Sequence, residues 1–301
     1  CSMPPLPAGD HLLRARYVLD AGLDTEKSYD LGQFFYSSAQ VSHGLLDEAR
    51  VELYDESIVL TQDGPNTTYQ VAAGTVVTSK VREIILSAWP QARIAITESS
   101  KTLRSTMDWE PKATWLEIIN DLLDSINYFG LFVDQRSVFT AKPYVDPAKR
   151  GVAWEFVDNE NCVHLPEFVE DHDTFAVPNK VLALPRSDGE STPLDPVVVT
   201  NENAASPYSY QARGRWIRLL LEDVEAADQA TLLGRAKRSL SEATSVGQTL
   251  SIAHAFIPGL SLNDVVWFSD KETRGYYAIA GQELRMETPL LIKSSLRRVD
   301  V

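Results

Sequence analysis

Helical spacing is confined to two segments of this 301-residue chain, about 79–130 and about 223–247. Everything around them is written in short apolar runs broken by Gly, Pro, Asn and Asp, the punctuation of strands and turns. That division points to two β bodies, each interrupted by a helical insert, an α+β organisation with antiparallel sheets. The first helical segment opens with Val81, Ile84, Ile85, Ala88 and Trp89 on one face, stopped by Pro90. After the candidate strand Ile94-Ala95-Ile96 comes the best-marked helix. There Thr114 and Glu117 form a T-x-x-E capping box ahead of an apolar face of Ile119, Leu122, Leu123 and Ile126, widened by Trp115 and Leu116. Asn120, Asp121, Asp124 and Ser125 form its polar face, and Gly130 marks its exit. Leu131 to Val133 and Val138 to Ala141 flank Asp134-Gln135-Arg136 as a hairpin, completing a compact α/β insert. In the second segment Asp223 reads as the N-cap, Leu233, Ala236, Leu240 and Ala243 as the apolar face, and Gly247 as the close.

The strand readings are Leu12 to Leu19, Val51 to Tyr54, Ser57 to Leu60, Val152 to Phe156, Phe175 to Val177, Val181 to Leu184, Val197 to Val199 and Trp216 to Leu221. A C-terminal meander follows: Leu250, Ile252, His254 and Phe256 on one face, then Val265 to Phe268, a polar turn from Asp270 to Gly275, Tyr276 to Ile279, and Leu290 to Ile292. The length suggests roughly two to three domains.

Composition narrows the function classes. At 44% hydrophobic and 23% charged residues the chain is ordinary globular material, and no window approaches the ~18 apolar residues of a membrane helix. Two cysteines, Cys1 and Cys162, support at most one bridge and no four-cysteine zinc site. With 28 Lys+Arg against 42 Asp+Glu the net charge is −14, which disfavours tight binding to nucleic acid or anionic lipid. The clusters Arg213-Gly214-Arg215 with Arg218, and Arg235-Ala236-Lys237-Arg238, are diluted by Glu222, Asp223 and Glu225, and the second reads as a solvated helix face. The Cys1 start reads as a trimmed terminus more readily than as a processed lipoprotein, and the sequon Asn66-Thr67-Thr68 matters only in a secretory setting.

No nucleophile elbow, Walker A loop, dinucleotide fingerprint or H-E-x-x-H pair occurs. The densest titratable run is Glu170-Asp171-His172-Asp173, with His164 and Cys162 upstream. Such groups can hold a divalent metal, but neighbours on an extended chain face opposite ways, so the run reads as a polar loop. His254 reads as a satisfied core histidine, and His11 and His43 have no recurring partner. Glu155 on its strand is as readily structural as catalytic, and 42 acidic residues nominate no hydrolytic pair. The expectation is no catalytic, cofactor or metal site; the six Trp read mostly as core.

An ordered series of motifs then carries a resemblance. Thr114-Trp115-Leu116-Glu117-Ile118-Ile119-Asn120-Asp121-Leu122-Leu123 runs into Ile126-Asn127-Tyr128-Phe129-Gly130-Leu131, followed by Pro143-Tyr144-Val145-Asp146-Pro147 and Trp154-Glu155-Phe156. Then come Asp173 to Asn179, Ser206-Pro207-Tyr208-Ser209-Tyr210 with Gly214-Arg215, His254-Ala255-Phe256-Ile257-Pro258-Gly259 and Leu262 to Val266. Leu53 to Ser57 and Ala73 to Val77 match the opening domain. In order and spacing the series resembles the baseplate hub, or minor tail, proteins of siphophages of actinobacteria and related prophages. It covers most of the chain, most strongly after about residue 110, while Cys1 to Asp10 matches no family start.

The resemblance implies two β-barrel-like domains, each with an inserted α/β domain: a first barrel from 1–75 and about 150–175 with insertion 76–149, and a second from 176–210 and 248–301 with insertion 211–247. It implies a non-enzymatic virion protein of the tail tip, made in the host cytoplasm. Three copies would adapt a sixfold tail tube to a threefold tip and form part of the DNA channel. Its implied partners are the distal tail ring, the tape-measure protein and tip or receptor-binding proteins. DNA would pass at ejection without specific binding, and no membrane or cofactor is involved. The rivals are a tail-tip cell-wall hydrolase, disfavoured by the missing motifs and by the absence of an appended module, and a carbohydrate-binding module.

Overall fold

The structure, a computed structural model, describes residues 12–19, 27–42, 48–160, 162–172, 175–187, 189, 191–245, 247–270, 273–285 and 291–299. Cys1, His11, His43 and Asp173 lie outside the described residues, as do two residues of the turn expected between Asp270 and Gly275. The chain forms two compact units, Cys1–Pro143 and Tyr144–Val301, and is mixed α+β with sheets dominating.

The first unit begins with an antiparallel sheet of Leu12–Leu19, the 16-residue Lys27–Ser42 in the centre, and Glu48–Asp55. A bulge between Ala15 and Arg16 brings both Arg14 and Arg16 onto the Asp30 carboxylate, at 2.7 and 3.2 Å. Ser57 to Leu60, expected as a strand, is instead the start of a one-turn helix, Ile58–Thr61. The reason lies just upstream: the Asp55 carboxylate accepts from the Ser57 backbone N–H at 2.8 Å and from its hydroxyl, and that local bonding turns the chain out of the sheet.

The α/β body of this unit places the helices Val77–Ala88 and Trp115–Asp124 beside a small sheet. In that sheet Phe139–Ala141 lies between Ile94–Ile96, parallel, and Phe132–Val133, antiparallel. The capping box forms as expected: the Glu117 N–H donates to the Thr114 hydroxyl at 3.2 Å, and the Thr114 N–H donates to the Glu117 carboxylate at 2.7 Å. Ile118, Ile119, Leu122 and Leu123 are fully buried with Val77, Val81, Ile85, Leu60 and Phe139. At about 1.5–3 kcal/mol for each large aliphatic group this contact, not helix propensity, holds the body together. Ser125, expected on the polar face, is buried and donates its hydroxyl to the Leu122 carbonyl at 2.7 Å. Asp63 ties the preceding loop to the helix start, accepting from the Trp115 N–H at 3.0 Å and from its indole at 3.1 Å. Next to it Gly64 is obligatory, because a Cβ there would sit 2.2 Å from the Ala113 carbonyl oxygen.

The second unit holds a six-stranded sheet in the order His164–His172, Gln248–Ala255, Leu291–Val299, Arg274–Arg285, Val265–Ser269, Val152–Val157. Of the antiparallel meander read from the sequence, Val265–Ser269, Arg274–Arg285 and Leu291–Val299 pair in succession, but Gln248–Ala255 lies beside Leu291–Val299 rather than beside Val265–Ser269. Val152–Val157 joins in parallel and His164–His172 antiparallel, so these strands, grouped with the N-terminal strands in the sequence reading, hydrogen-bond to C-terminal ones. The period-2 pattern says which residues share a face but not which strand lies next door. One face is sealed by Phe156, Leu250, Ile252, Val266, Phe268, Tyr277, Ile279 and Leu296.

A second sheet sets Lys180–Pro185 between Val197–Thr200, antiparallel, and Arg218–Val224, parallel. The helix Gln229–Ser245 covers one face, burying Leu232, Ala236 and Leu240 against Val181, Ala183 and Val197. Its cap is Asp228, whose carboxylate accepts from the Thr231 N–H at 2.6 Å and hydroxyl at 2.7 Å. Asp223, the expected cap, is the next-to-last residue of the preceding strand, at φ 53°. Phe175 to Val177 is not a strand: Phe175 is 78% exposed and lies under the Arg215 guanidinium, 5.3 Å from the ring centre.

Candidate functional site

The titratable run that looked most like a metal site is dispersed by its own strand. Glu170 and Asp171 lie within His164–His172, a strand rather than the expected loop, and alternate in direction along it. The Glu170 carboxylate accepts from the Thr273 hydroxyl at 2.9 Å, while the Asp171 side chain is exposed. Upstream, the Cys162 sulfur lies 3.2 Å from Nδ1 of His164, and the His164 ring packs against Phe156 and Phe268. Among the described residues no three of His, Cys, Asp and Glu converge as a metal site.

His254 stands opposite His164 in the register and is fully buried. Its Nδ1 is 2.7 Å from the Ala255 carbonyl oxygen and its Nε2 2.8 Å from the Ser294 hydroxyl. A carbonyl only accepts, so Nδ1 carries the proton and Nε2 accepts from Ser294. Burial holds the imidazole pKa below its usual value; the Ala255 carbonyl opposes the shift and the neighbouring His164 adds to it. A neutral ring with both nitrogens engaged is a core group, as its strand position suggested. Glu155 is exposed on the edge strand Val152–Val157.

The arginine clusters serve mainly as internal struts. Arg213 donates to the Val177 carbonyl at 2.9 Å and lies over the Tyr208 ring, and Arg235 donates to the Glu225 carbonyl at 2.7 Å. Arg238 pairs with Glu242 at 2.8 Å and lies over the Tyr144 ring, so the run Arg235 to Arg238 is not simply a solvated face.

What the second unit presents to solvent is aromatic and open-edged. Of the six Trp only Trp109 is buried, contrary to the expectation of a mostly core role, and Trp154 and Trp216 are exposed. Tyr210 stacks on Trp216 with centroids 4.5 Å apart and planes 26° apart, and the Lys180 ammonium lies 5.6 Å from the Trp216 ring centre. The pair lines an open depression of about 430 Å³ with Thr200, Asn201, Glu202 and Gln211. A four-residue helix, Tyr210–Arg213, positions it: the Ser209 hydroxyl accepts from the Ala212 N–H at 3.2 Å, and Gly214 at φ 66° turns the chain toward Trp216. Sequence reading missed this feature, although the Ser209 cap and Gly214 stop were there to be read. The six-stranded sheet ends on Val152–Val157 at one side and His164–His172 at the other, with Val152, Trp154, Leu165 and Val169 exposed.

No protein-family model matches the sequence, and no curated protein does. Solved structures do match its fold. The tail protein of Neisseria meningitidis MC58 superposes with a TM-score of 0.66 at 13% identity, covering 89% of this chain and 80% of that one. The 43 kDa tail protein of prophage MuSo2 from Shewanella oneidensis gives 0.64 at 11% identity, covering 96% and 89%. The fold is that of phage tail proteins. Prophage tail protein gp18 of Listeria monocytogenes EGD-e gives 0.56 at 14% identity, covering 95% and 83%. At such identities the likeness is one of architecture, reached across nearly the whole chain, and the residue-level motifs of the hub resemblance are not what carries it.

Proposed function

We propose that this chain is a structural virion protein of a phage tail tip, a trimeric baseplate hub of the siphophage type expected from the motif series. The tail-protein fold across nearly the whole chain is the observation that carries this reading. Two physical features support it. The six-stranded sheet ends on two different strands, Val152–Val157 and His164–His172, so pairing one edge to the other between copies is head-to-tail, the kind of contact that closes a ring. The net charge of −14 suits a channel that passes DNA without adsorbing it, since phosphates find few cations to exchange. In this reading three copies adapt the sixfold tube to a threefold tip, contacting the distal tail ring, the tape-measure protein and tip or receptor-binding proteins. The two-barrel plan, with insertions at 76–149 and 211–247, belongs to the same proposal, with the strands of about 150–175 pairing as described above. So does a role without catalysis.

Light scattering behind a sizing column tests it. A ring of three 33.5 kDa chains weighs about 100 kDa and shows a central hole in negative stain. A single-chain mass at every concentration, persisting when the distal tail protein is added, overturns the trimer.

A further inference from the structure

We propose that the depression beside Tyr210 and Trp216 is a binding site for a neutral glycan. This goes beyond the hub reading and does not depend on it. The argument starts from the shape of the ligand class: a pyranose ring has an apolar C–H face and a rim of hydroxyls that each donate and accept. The depression offers the complement of both. Its aromatic part is the Tyr210–Trp216 stack, 41% and 47% exposed although the two rings hold each other at 4.5 Å. A stacked aromatic pair held open to solvent in this way is a flat apolar platform onto which the C–H face of a ligand can pack. Its polar part is an amide, hydroxyl and carboxylate set, Asn201, Gln211, Thr200 and Glu202, the donor and acceptor mixture that reads hydroxyls. Several of these groups are already oriented. Asn201 donates to the Ser206 hydroxyl at 3.1 Å and accepts from the Asn203 N–H at 3.1 Å, and Thr200 donates to Glu202 at 3.2 Å. Pre-set side chains lose less entropy on binding. The volume of about 430 Å³ falls in the range of small-ligand sites, roughly 300–1,000 Å³.

Charge selects the class. A polyphosphate or acidic glycan would meet the Glu202 carboxylate inside the depression and the chain's net charge of −14, and Lys180 beside Trp216 roughly balances Glu202 alone. A neutral sugar meets no such penalty.

The test is a titration of the full chain with neutral oligosaccharides built on glucose, galactose, rhamnose and N-acetylglucosamine, read by saturation-transfer NMR, with an anionic polyol phosphate polymer alongside. At least one neutral sugar should bind, with Tyr210→Ala and Trp216→Ala each weakening it by about tenfold. Trp216→Phe should retain most of the affinity, and Trp154→Ala, at an exposed Trp on another sheet, should change nothing. Circular dichroism of each variant separates lost binding from lost folding. Failure of every neutral sugar, binding indifferent to Tyr210 and Trp216, or binding only of the anionic polymer overturns the assignment, whatever the oligomeric state.

Discussion

The helices Trp115–Asp124 and Gln229–Ser245 make an instructive pair because the shorter is the better anchored. Ten residues of the first bury four large aliphatic side chains, Ile118, Ile119, Leu122 and Leu123. Seventeen residues of the second bury Thr231, Leu232, Ala236 and Leu240, only two of them large and apolar. Length is therefore a poor guide to what a helix contributes; the apolar area it removes from water decides. The first is specified locally, by a reciprocal cap and a dense apolar stripe, whereas the second depends on the sheet of Lys180–Pro185 and its neighbours to give its face a purpose.

The sharpest way to break that comparison is to hollow out each helix. Leu122 and Leu232 are both fully buried, so truncation to Ala should cost about 2–5 kcal/mol at each. Leu122→Ala should lie at the upper end, because its surroundings are large branched residues that leave a lasting cavity. Leu232→Ala should lie at the lower end, since Ala183, Ala226 and Ala236 stand among the Val and Leu side chains of its cluster and fewer large groups line the space it vacates. Urea unfolding of the two variants checks it, and equal costs would remove the distinction.

Acidification should separate the two units next. His254, in the second, has a folded pKa below the ordinary 6.5, so the unfolded chain takes up the proton first and stability falls as pH drops through that value. Glu56, in the first, is pushed up by burial, with Arg93 opposing; its carboxyl binds a proton more readily when folded, so its contribution grows as pH falls and is lost as pH rises through the folded pKa. Between pH 7 and 5.5 the second unit should weaken, with a slope of at most about 1.4 kcal/mol per pH unit from this residue, and the first should hold or gain. His254→Gln should flatten the acid limb in hydrogen-exchange measurements of Gln248–Ala255. A wild-type acid limb unchanged in that variant would assign the loss elsewhere.

How far the sequence could be read follows the same division between local and distant causes. The capping box, the Val81 to Ile85 stripe, the Asp134 hairpin and the successive strands from Val265 to Val299 join neighbours along the chain, and all are present. The first strand of the expected meander, Gln248–Ala255, pairs instead with the distant Leu291–Val299. The misreadings share the opposite cause. Ser57 to Leu60 has strand-like composition but is turned by Asp55, Phe175 stays exposed with an arginine 40 residues away beside its ring, and His164–His172 joins its sheet through the distant Gln248–Ala255. The aromatic pair at 210 and 216 escaped because Trp216 opens an apolar run that reads as strand, while its partner lies across a four-residue helix.

Asp223 and Asp228 offer the finest test of that division, since both are acidic and both precede the same helix. Only Asp228 accepts from Thr231, through the backbone N–H and the hydroxyl, so Asp228→Ala should cost about 1 kcal/mol, within the usual 0.5–2 range for caps. Thr114→Ala should cost a similar amount at the other helix, with Thr114→Ser recovering most of it, because the reciprocal bond from Glu117 needs only the backbone at that position. Asp223 sits at φ 53°, where an L side chain is strained, and Asp223→Gly should be neutral or slightly stabilising. Chemical denaturation of these four variants would locate the start of the long helix by energy alone. A loss at Asp223 with none at Asp228 would move that start five residues upstream and would leave the sheet, rather than the cap, as the element that fixes its position.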